Sequence, residues 1–407
     1  MTVKQMKPVF IILIIYGLGK ILLSCSTSKK VLDFENLPNT VHIFDKNYEK
    51  EITGAQKYLQ TIPEKINTPS FSVAVGYKGK VIWSEAIGYQ DIENKTPAHP
   101  NSIYRIGSTS KAVTSVLAAR LVDKGQMDLE TLITDEIANY PKKEWGFTPR
   151  QLLSHSAGIP DYNDLKLGGL YRTLCNCRNY TSVTEGLKVF NKVKLLYKPG
   201  SSFKYTSFDI VLLSAYMETV TQTDFLSLLN TEVLEPLEMK HTFADHSKYQ
   251  KDTIVKFYKT RDNTYKKWPA FGIFNKKIDL SYKWAGGGIL STPTDLVKMG
   301  NAVLTDRTFM TWETNALFFE PQKLDNGELN PQHYALGWRS YYEYENEALN
   351  QKVWIVHHAG ISKGAMNFLI LFPEYELVIN ASVNTRTDEF WTFGNEVIAL
   401  AGFFINN

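Results

Sequence analysis

Hydrophobic and polar positions follow two periods along this chain. In "FSVAVGYKGKVIWSEAIGY", apolar and small or polar residues alternate on either side of Lys78-Gly79. That period of two predicts a pair of strands joined in a hairpin. Near the C-terminus, "VWIVHHAGISKGAMNFLILFPEYELVINASV" predicts three successive strands, the first reaching His357-His358 and opening at Ala359-Gly360. Between these regions the period lengthens. After Lys111, Val113, Val116, Leu117, Leu121 and Val122 recur at helical spacing, and Gly125 ends the helix. A second helix is expected to start near Ser207 or Asp209, after the Pro199-Gly200 turn. Helical character dominates from about Ser108 to Met239, and the final "DEFWTFGNEVIALAGFFI" is spaced as a helix that packs on the sheet.

The N-terminus departs from both periods. Lys4 and Lys7 precede the apolar run "PVFIILIIYGLG", and "ILLSC" follows Lys20. A basic start, a short apolar stretch and a small residue at the break describe a secretory signal over 1–24. The run is shorter than the roughly 20 apolar residues of a membrane span. "LLSC" resembles a bacterial lipobox, which implies lipid attachment at Cys25 and a chain exported to the periplasm or cell exterior, held on a membrane. Lys20 inside the apolar region leaves an uncleaved anchor open. Residues 25–44 read as a flexible tether, and 45–407 as one folded domain.

Composition narrows the class. The 407 residues are 43% hydrophobic and 21% charged with a net charge of +3, ordinary for a globular enzyme. So small a charge gives no reason to expect a nucleic-acid partner. No Cys or His cluster has metal-ligand spacing, so no metal and no cofactor are expected. Cys175 and Cys177, two residues apart, read as free thiols.

Serine three residues before lysine occurs three times, at Ser26–Lys29, Ser108–Lys111 and Ser201–Lys204. The first lies in the tether and the third in a turn with no helix to orient it. The second opens a helix, where residues three apart share a face and Lys111 meets the Ser108 hydroxyl. The start of a helix also offers free backbone N–H groups to a developing oxyanion. Tyr205 falls just before the second helix, and His358 ends a strand followed by small residues that admit a ligand backbone.

Ser108-Thr109-Ser110-Lys111, Tyr205-Thr206-Ser207 and His358-Ala359-Gly360, in this order, resemble the motifs of the serine β-lactamase and penicillin-binding-protein-like superfamily. The branch they resemble contains class C β-lactamases, esterases and D-aminopeptidases. "FTPRQLLSHSAGIPDY", "LEPLEMKHTFA", "AGGGILSTPTDLVKMGNAVL" and "YALGW" also look familial. The resemblance implies an α/β (α+β) fold, an antiparallel β-sheet flanked by helices with an all-helical lobe inserted at roughly 108–260. It implies Ser108 as nucleophile, Lys111 and Tyr205 as a coupled base, and the N–H groups of Ser108 and Ile361 as the oxyanion hole. Ser207, His358 and Gly360 would line the substrate side, His358 lending a hydrogen bond or positive charge where the family carries lysine.

Two departures bear on substrate. Ser207 stands where asparagine is common, and His358 replaces lysine. Both favour an esterase, amidase or peptidase acting on a small-molecule or peptide substrate over a β-lactamase or penicillin-binding DD-peptidase. A catalytically silent surface-binding or sensor protein is the rival class, from which one of Ser108, Lys111 or Tyr205 would be expected to be missing. His155 reads as structural at a helix end, Gly286–Gly288 as a tight turn near the cleft, Trp284 as a possible lining residue, and Arg339 as a strand residue of open orientation.

Overall fold

Lys78 and Gly79 take φ of +50° and +78°, the pair of left-handed conformations that a two-residue hairpin turn requires. They join β2 (Ser70–Tyr77) to β3 (Lys80–Asp91). The computed structural model describes residues 32–133, 136–137, 140–165, 178–246, 251–261, 264–268, 278–387 and 390–406. The expected signal segment, Cys25, Ser26–Lys29 and the Cys175/Cys177 pair lie outside the described residues. Among those described, no helix is long and apolar enough to cross a membrane.

The main sheet is antiparallel throughout. β1 (Asn39–Ile43) pairs with β3, which pairs with β2. The three C-terminal strands complete it: β11 (Val353–Ser362), β12 (Ala365–Phe372) and β13 (Leu377–Val383), with β10 (Arg339–Tyr344) at the far edge. The order is β1-β3-β2-β13-β12-β11-β10, so the first and last segments of the domain meet at β2 and β13. Residues 39–43, inside the stretch expected to be tether, are thus part of the sheet. The carboxylate of Glu85 on β3 fastens this edge by accepting from Asn39 Nδ2, Gln56 Nε2 and Trp83 Nε1 at 2.8–2.9 Å.

Strands β2, β12 and β13 are buried on both faces, although β2 reads as alternating. The reason is that helices cover both sides of the sheet. Ile52 and Leu59 of α1 (Glu49–Leu59) pack with Val73, Val75 and the C-terminal helix residues Phe393 and Val397 on one face. Ala74, Leu369 and Val378 pack on the other, toward the lobe. The helix after Lys111, α2 (Ser110–Asp123), runs through that second core. It is buried nearly all round, so its polar residues Ser110, Lys111, Thr114 and Ser115 are interior as well. Gly125, at φ +67°, follows its C-cap.

Further into the lobe come α3 (Pro149–Leu153), with a capping box at Thr148 and Gln151, and α4 (Ser207–Thr221), with Thr206 as N-cap. Gly286 lies on the single-turn α5 (Trp284–Gly287), where a tight turn was expected. Short strands lie between: β4 (Thr96–Pro97) pairs with β3, and β7 (Tyr258–Arg261) with β8 (Thr264–Lys267). A small sheet closes the lobe against the large one: β5 (Tyr104–Arg105) and β6 (Phe243–Ala244) both pair with β9 (Ile289–Ser291). Arg105 Nε donates to Asp245 at 2.6 Å, and its Nη1 donates to the Lys363 carbonyl on the β11–β12 turn at 3.2 Å.

Candidate active site

Backbone contact between two glycine-bearing segments creates the site. β10 pairs with β11 only as far as His357, leaving the edge from His358 to Ser362 open. A 3-10 turn, Gly107–Thr109, lies against that edge. A β-carbon on Gly360 would sit 1.8 Å from the Ile106 carbonyl oxygen, and one on Gly107 would sit 2.6–2.8 Å from the Ile361 backbone. Only glycine permits this approach on each side. Gly107 also takes a φ of +53°. The Thr109 hydroxyl adds a bond to the His358 carbonyl at 3.2 Å. Ser108 therefore stands at the head of α2 beside Ile361, and it is partly exposed while its neighbours are buried.

Lys111 lies one turn further on and is fully buried. Its Nζ donates to Ser108 Oγ at 3.1 Å, Ser207 Oγ at 3.0 Å and the Gly286 carbonyl at 2.6 Å. All three acceptors are uncharged. Burial lowers this amine to about 7, with Lys283 and Arg339 pushing the same way against Tyr162 and Asp161. Gly286 reaches it because α5 packs on α4 without a side chain between them: a β-carbon there would lie 2.4 Å from the Ser207 carbonyl oxygen.

Tyr205 precedes the Thr206 cap of α4, whose hydroxyl accepts from Phe208 N and donates to the Pro160 carbonyl. The Tyr205 phenol faces the Ser108 side chain, and its ring lies 4.8 Å from Lys111 Nζ. Burial raises its phenol, while Arg339, the Ser108 side chain and Lys283 oppose that rise. Ser108 and Lys111 are thus hydrogen-bonded, with the Tyr205 ring packed against the amine. Ser207 belongs to the same group: its hydroxyl is occupied by Lys111 and only 7% of the residue is exposed, so it supports the lysine from within.

His358 departs from the expected cationic role. It is fully buried, and burial beside Arg339 and Lys111 holds it well below the ordinary histidine range. Its Nδ1 lies 2.8 Å from the Ala359 carbonyl, which can only accept, so Nδ1 carries the proton. Nε2 then accepts from the Tyr334 hydroxyl at 2.9 Å. A neutral imidazole so engaged lends no charge to a ligand. Positive charge comes instead from Arg339 on β10, whose Cζ lies 5.2 Å from the ring centres of both Tyr205 and Tyr334.

His155 bonds Asp209 at 2.7 Å in full burial, consistent with a structural reading. Its ring also backs Tyr205 and Tyr334, 4.6 Å from each. Trp284 is almost entirely enclosed. Ser201 and Lys204 turn away from each other, toward the Lys198 carbonyl and Asp164. Tyr334, Lys283 and Asp161 carry no expectation from sequence. The stretch "YALGW" marks the position of Tyr334 without giving it a role.

Several known proteins are similar to this chain. The human mitochondrial serine beta-lactamase-like protein LACTB is 25% identical across 80% of this chain and 73% of its own length. A D-stereospecific amidohydrolase from Streptomyces sp. superposes with a TM-score of 0.67 at 17% identity, covering 85% of this chain and 97% of that one. EstCE1, a hydrolase with promiscuous acyltransferase activity, superposes equally well at 18% identity, covering 89% of this chain and all of that one. Residues 55–403 match the Beta-lactamase family model, and the chain belongs to that family.

Proposed function

We propose that this chain is a serine hydrolase that cleaves an ester or amide through an acyl-enzyme on Ser108. One observation carries the reading: Lys111, buried among three neutral acceptors and brought to about 7, bonds the Ser108 hydroxyl beside the Tyr205 ring. An amine that is substantially neutral near pH 7 can accept a proton, and a charged surface lysine cannot.

Lys111 and Tyr205 together take the Ser108 proton as Oγ attacks the carbonyl carbon, and the proton is held by the pair rather than by one member. The resulting oxyanion accepts from the N–H groups of Ser108 and Ile361. Collapse expels the alcohol or amine, which leaves with the proton returned through Tyr205. Water then attacks the acyl-enzyme and gives a proton to the same pair; collapse breaks the Ser108 Oγ–acyl bond, releases the acid and returns that proton to Oγ. The acidic product and the free Ser108 hydroxyl balance the two halves.

Ser207, committed to Lys111, offers no amide to a substrate, and His358 offers no charge. Both features favour an esterase or peptidase-like substrate over a β-lactam. The described activities of the amidohydrolase and EstCE1 support the same class. We also propose that the enzyme works outside the cytoplasm, tethered through a lipid on Cys25.

Intact-protein mass spectrometry after treatment with a fluorophosphonate and, separately, a penicillin tests this reading. One adduct, absent from Ser108→Ala, is expected with the fluorophosphonate. No adduct on folded protein would instead favour the silent binding protein, and an adduct with penicillin alone would favour the penicillin-binding branch.

A further inference from the structure

Among the cations of this site, Arg339 is held in a distinctive way. Its Nη2 donates to Gln332 Oε1 at 2.6 Å, and its guanidinium lies against the Tyr205 and Tyr334 rings. Among the described residues no carboxylate lies within ion-pair distance of it. Register explains its position: Arg339 pairs across β10–β11 with His357, beside the point where the open edge begins. The histidine on that edge, His358, is uncharged and turned to Tyr334.

We propose that Arg339 supplies, from β10, the fixed positive charge of this site, keeping the Lys111–Tyr205 pair one proton short and ready to receive the Ser108 proton. The inference rests on the serine-hydrolase reading above. Arg339 acts through the pair, as a positioning residue for charge, and needs no contact with substrate.

The geometry gives the effect its size. Lys111 Nζ and Arg339 Cζ both lie against the Tyr205 ring, which puts them within about 10 Å of each other in a poorly solvated site. At an effective dielectric of about 20, that repulsion favours the neutral lysine roughly tenfold. The same charge favours ionised over neutral Tyr205. Both effects remove a proton from the pair, so the conclusion holds whichever member carries it. Other groups face the pair too. Lys283 adds to the push, Asp161 and Tyr162 oppose it, and the His155–Asp209 couple stands behind Tyr205. Arg339 acts on Tyr205 more strongly than Lys283 does, while Lys283 acts more strongly on Lys111, and an arginine stays charged at every working pH.

Carbon-13 NMR of protein labelled at lysine Cε reads the pair without requiring turnover. The Lys111 resonance is assigned by its absence from Lys111→Met. In Arg339→Gln its titration midpoint is expected to rise by about one pH unit, and in Arg339→Lys to stay near the parent value. The acid limb of kcat/KM for p-nitrophenyl acetate should move with it, with about a fivefold loss at pH 7 and about a tenfold loss below pH 6 in Arg339→Gln alone. A midpoint that does not move, or an equal loss in both variants without a shift of the limb, overturns the proposal. Should Arg339→Gln not fold, Gln332→Ala frees the guanidinium from its anchor and is expected to raise the midpoint in the same direction. No movement there overturns the proposal as well. Failure of the underlying reading looks different: the parent would take no fluorophosphonate on Ser108, whatever Lys111 does in the spectrum.

Discussion

Replacing Lys111 by methionine should destroy activity and, at acid pH, stabilise the protein. Methionine keeps the stem's apolar volume and removes the amine. An ordinary lysine titrates near 10.4, and burial brings this one to about 7. Below about pH 7 both folded and unfolded parent carry the proton, and the fold bears the whole cost of a buried charge. At about 1.4 kcal/mol per unit, that cost is on the order of 5 kcal/mol. Between about 7 and 10 the unfolded chain binds the extra proton, so parent stability climbs with pH and the cost disappears. Methionine has its own, pH-independent cost. The Ser108 and Ser207 hydroxyls can rotate to new partners, but the Gly286 carbonyl loses its donor, at about 1–3 kcal/mol. The variant should therefore be more stable by roughly 2–4 kcal/mol near pH 6 and less stable by roughly 1–3 kcal/mol near pH 10. Urea unfolding of both proteins across this range gives the difference directly, since titrations that do not feel Lys111 cancel. A difference that stays flat with pH would refute the claim that Lys111 is held neutral by burial.

Two further substitutions probe how the site is assembled. Gly360→Ala places a β-carbon 1.8 Å from the Ile106 carbonyl oxygen, where ordinary contact begins at 3.4 Å. The turn and the strand edge must part by roughly 1.5 Å, which withdraws the Ile361 N–H and should lower kcat by about 10²–10³. Steady-state kinetics within a few-fold of the parent would disprove it. Arg105→Met leaves Asp245 buried without its partner and frees the Lys363 carbonyl. Chemical denaturation should show a loss of about 3–5 kcal/mol, and a loss below about 1 kcal/mol would mean that the pair contributes little.

Local periodicity made the hairpin at Lys78-Gly79, the start of α4 at Ser207 and the three C-terminal strands readable, because each depends on near neighbours. The chain's motifs likewise marked Ser108, Lys111 and Tyr205. What local pattern could not reveal was burial from outside the segment. β2 reads as one-sided, yet helices from distant parts of the chain cover both faces. β1 reads as tether because a short polar edge strand has no signal apart from its partner β3. His358 illustrates the same gap in chemistry. Its motif position suggests a charge, but its state is set by full burial and by Tyr334 from a different stretch. Arg339 is placed on a strand by the sequence, but its orientation stays open because its nearness to Tyr205 follows from the β10–β11 register.

The uncharged acceptors around Lys111 are matched by a neutral couple behind Tyr205. A carboxylate close to Lys111 would hold a proton on the amine and defeat the site. Asp209 is the carboxyl buried nearby, on α4, and its influence on Lys111 would be of that kind if it were ionised. Burial pushes it well above the usual carboxylate range, and burial pushes His155 well below the histidine range. Both directions describe a neutral couple in which the Asp209 carboxyl donates its proton along the 2.7 Å bond to His155 Nδ1. His155 then carries its own proton on Nε2, the ring atom without a protein partner. His155 thus does more than end a helix: it accepts the proton of a carboxyl that burial keeps uncharged, and a neutral Asp209 leaves Arg339 and Lys283 unopposed from that side.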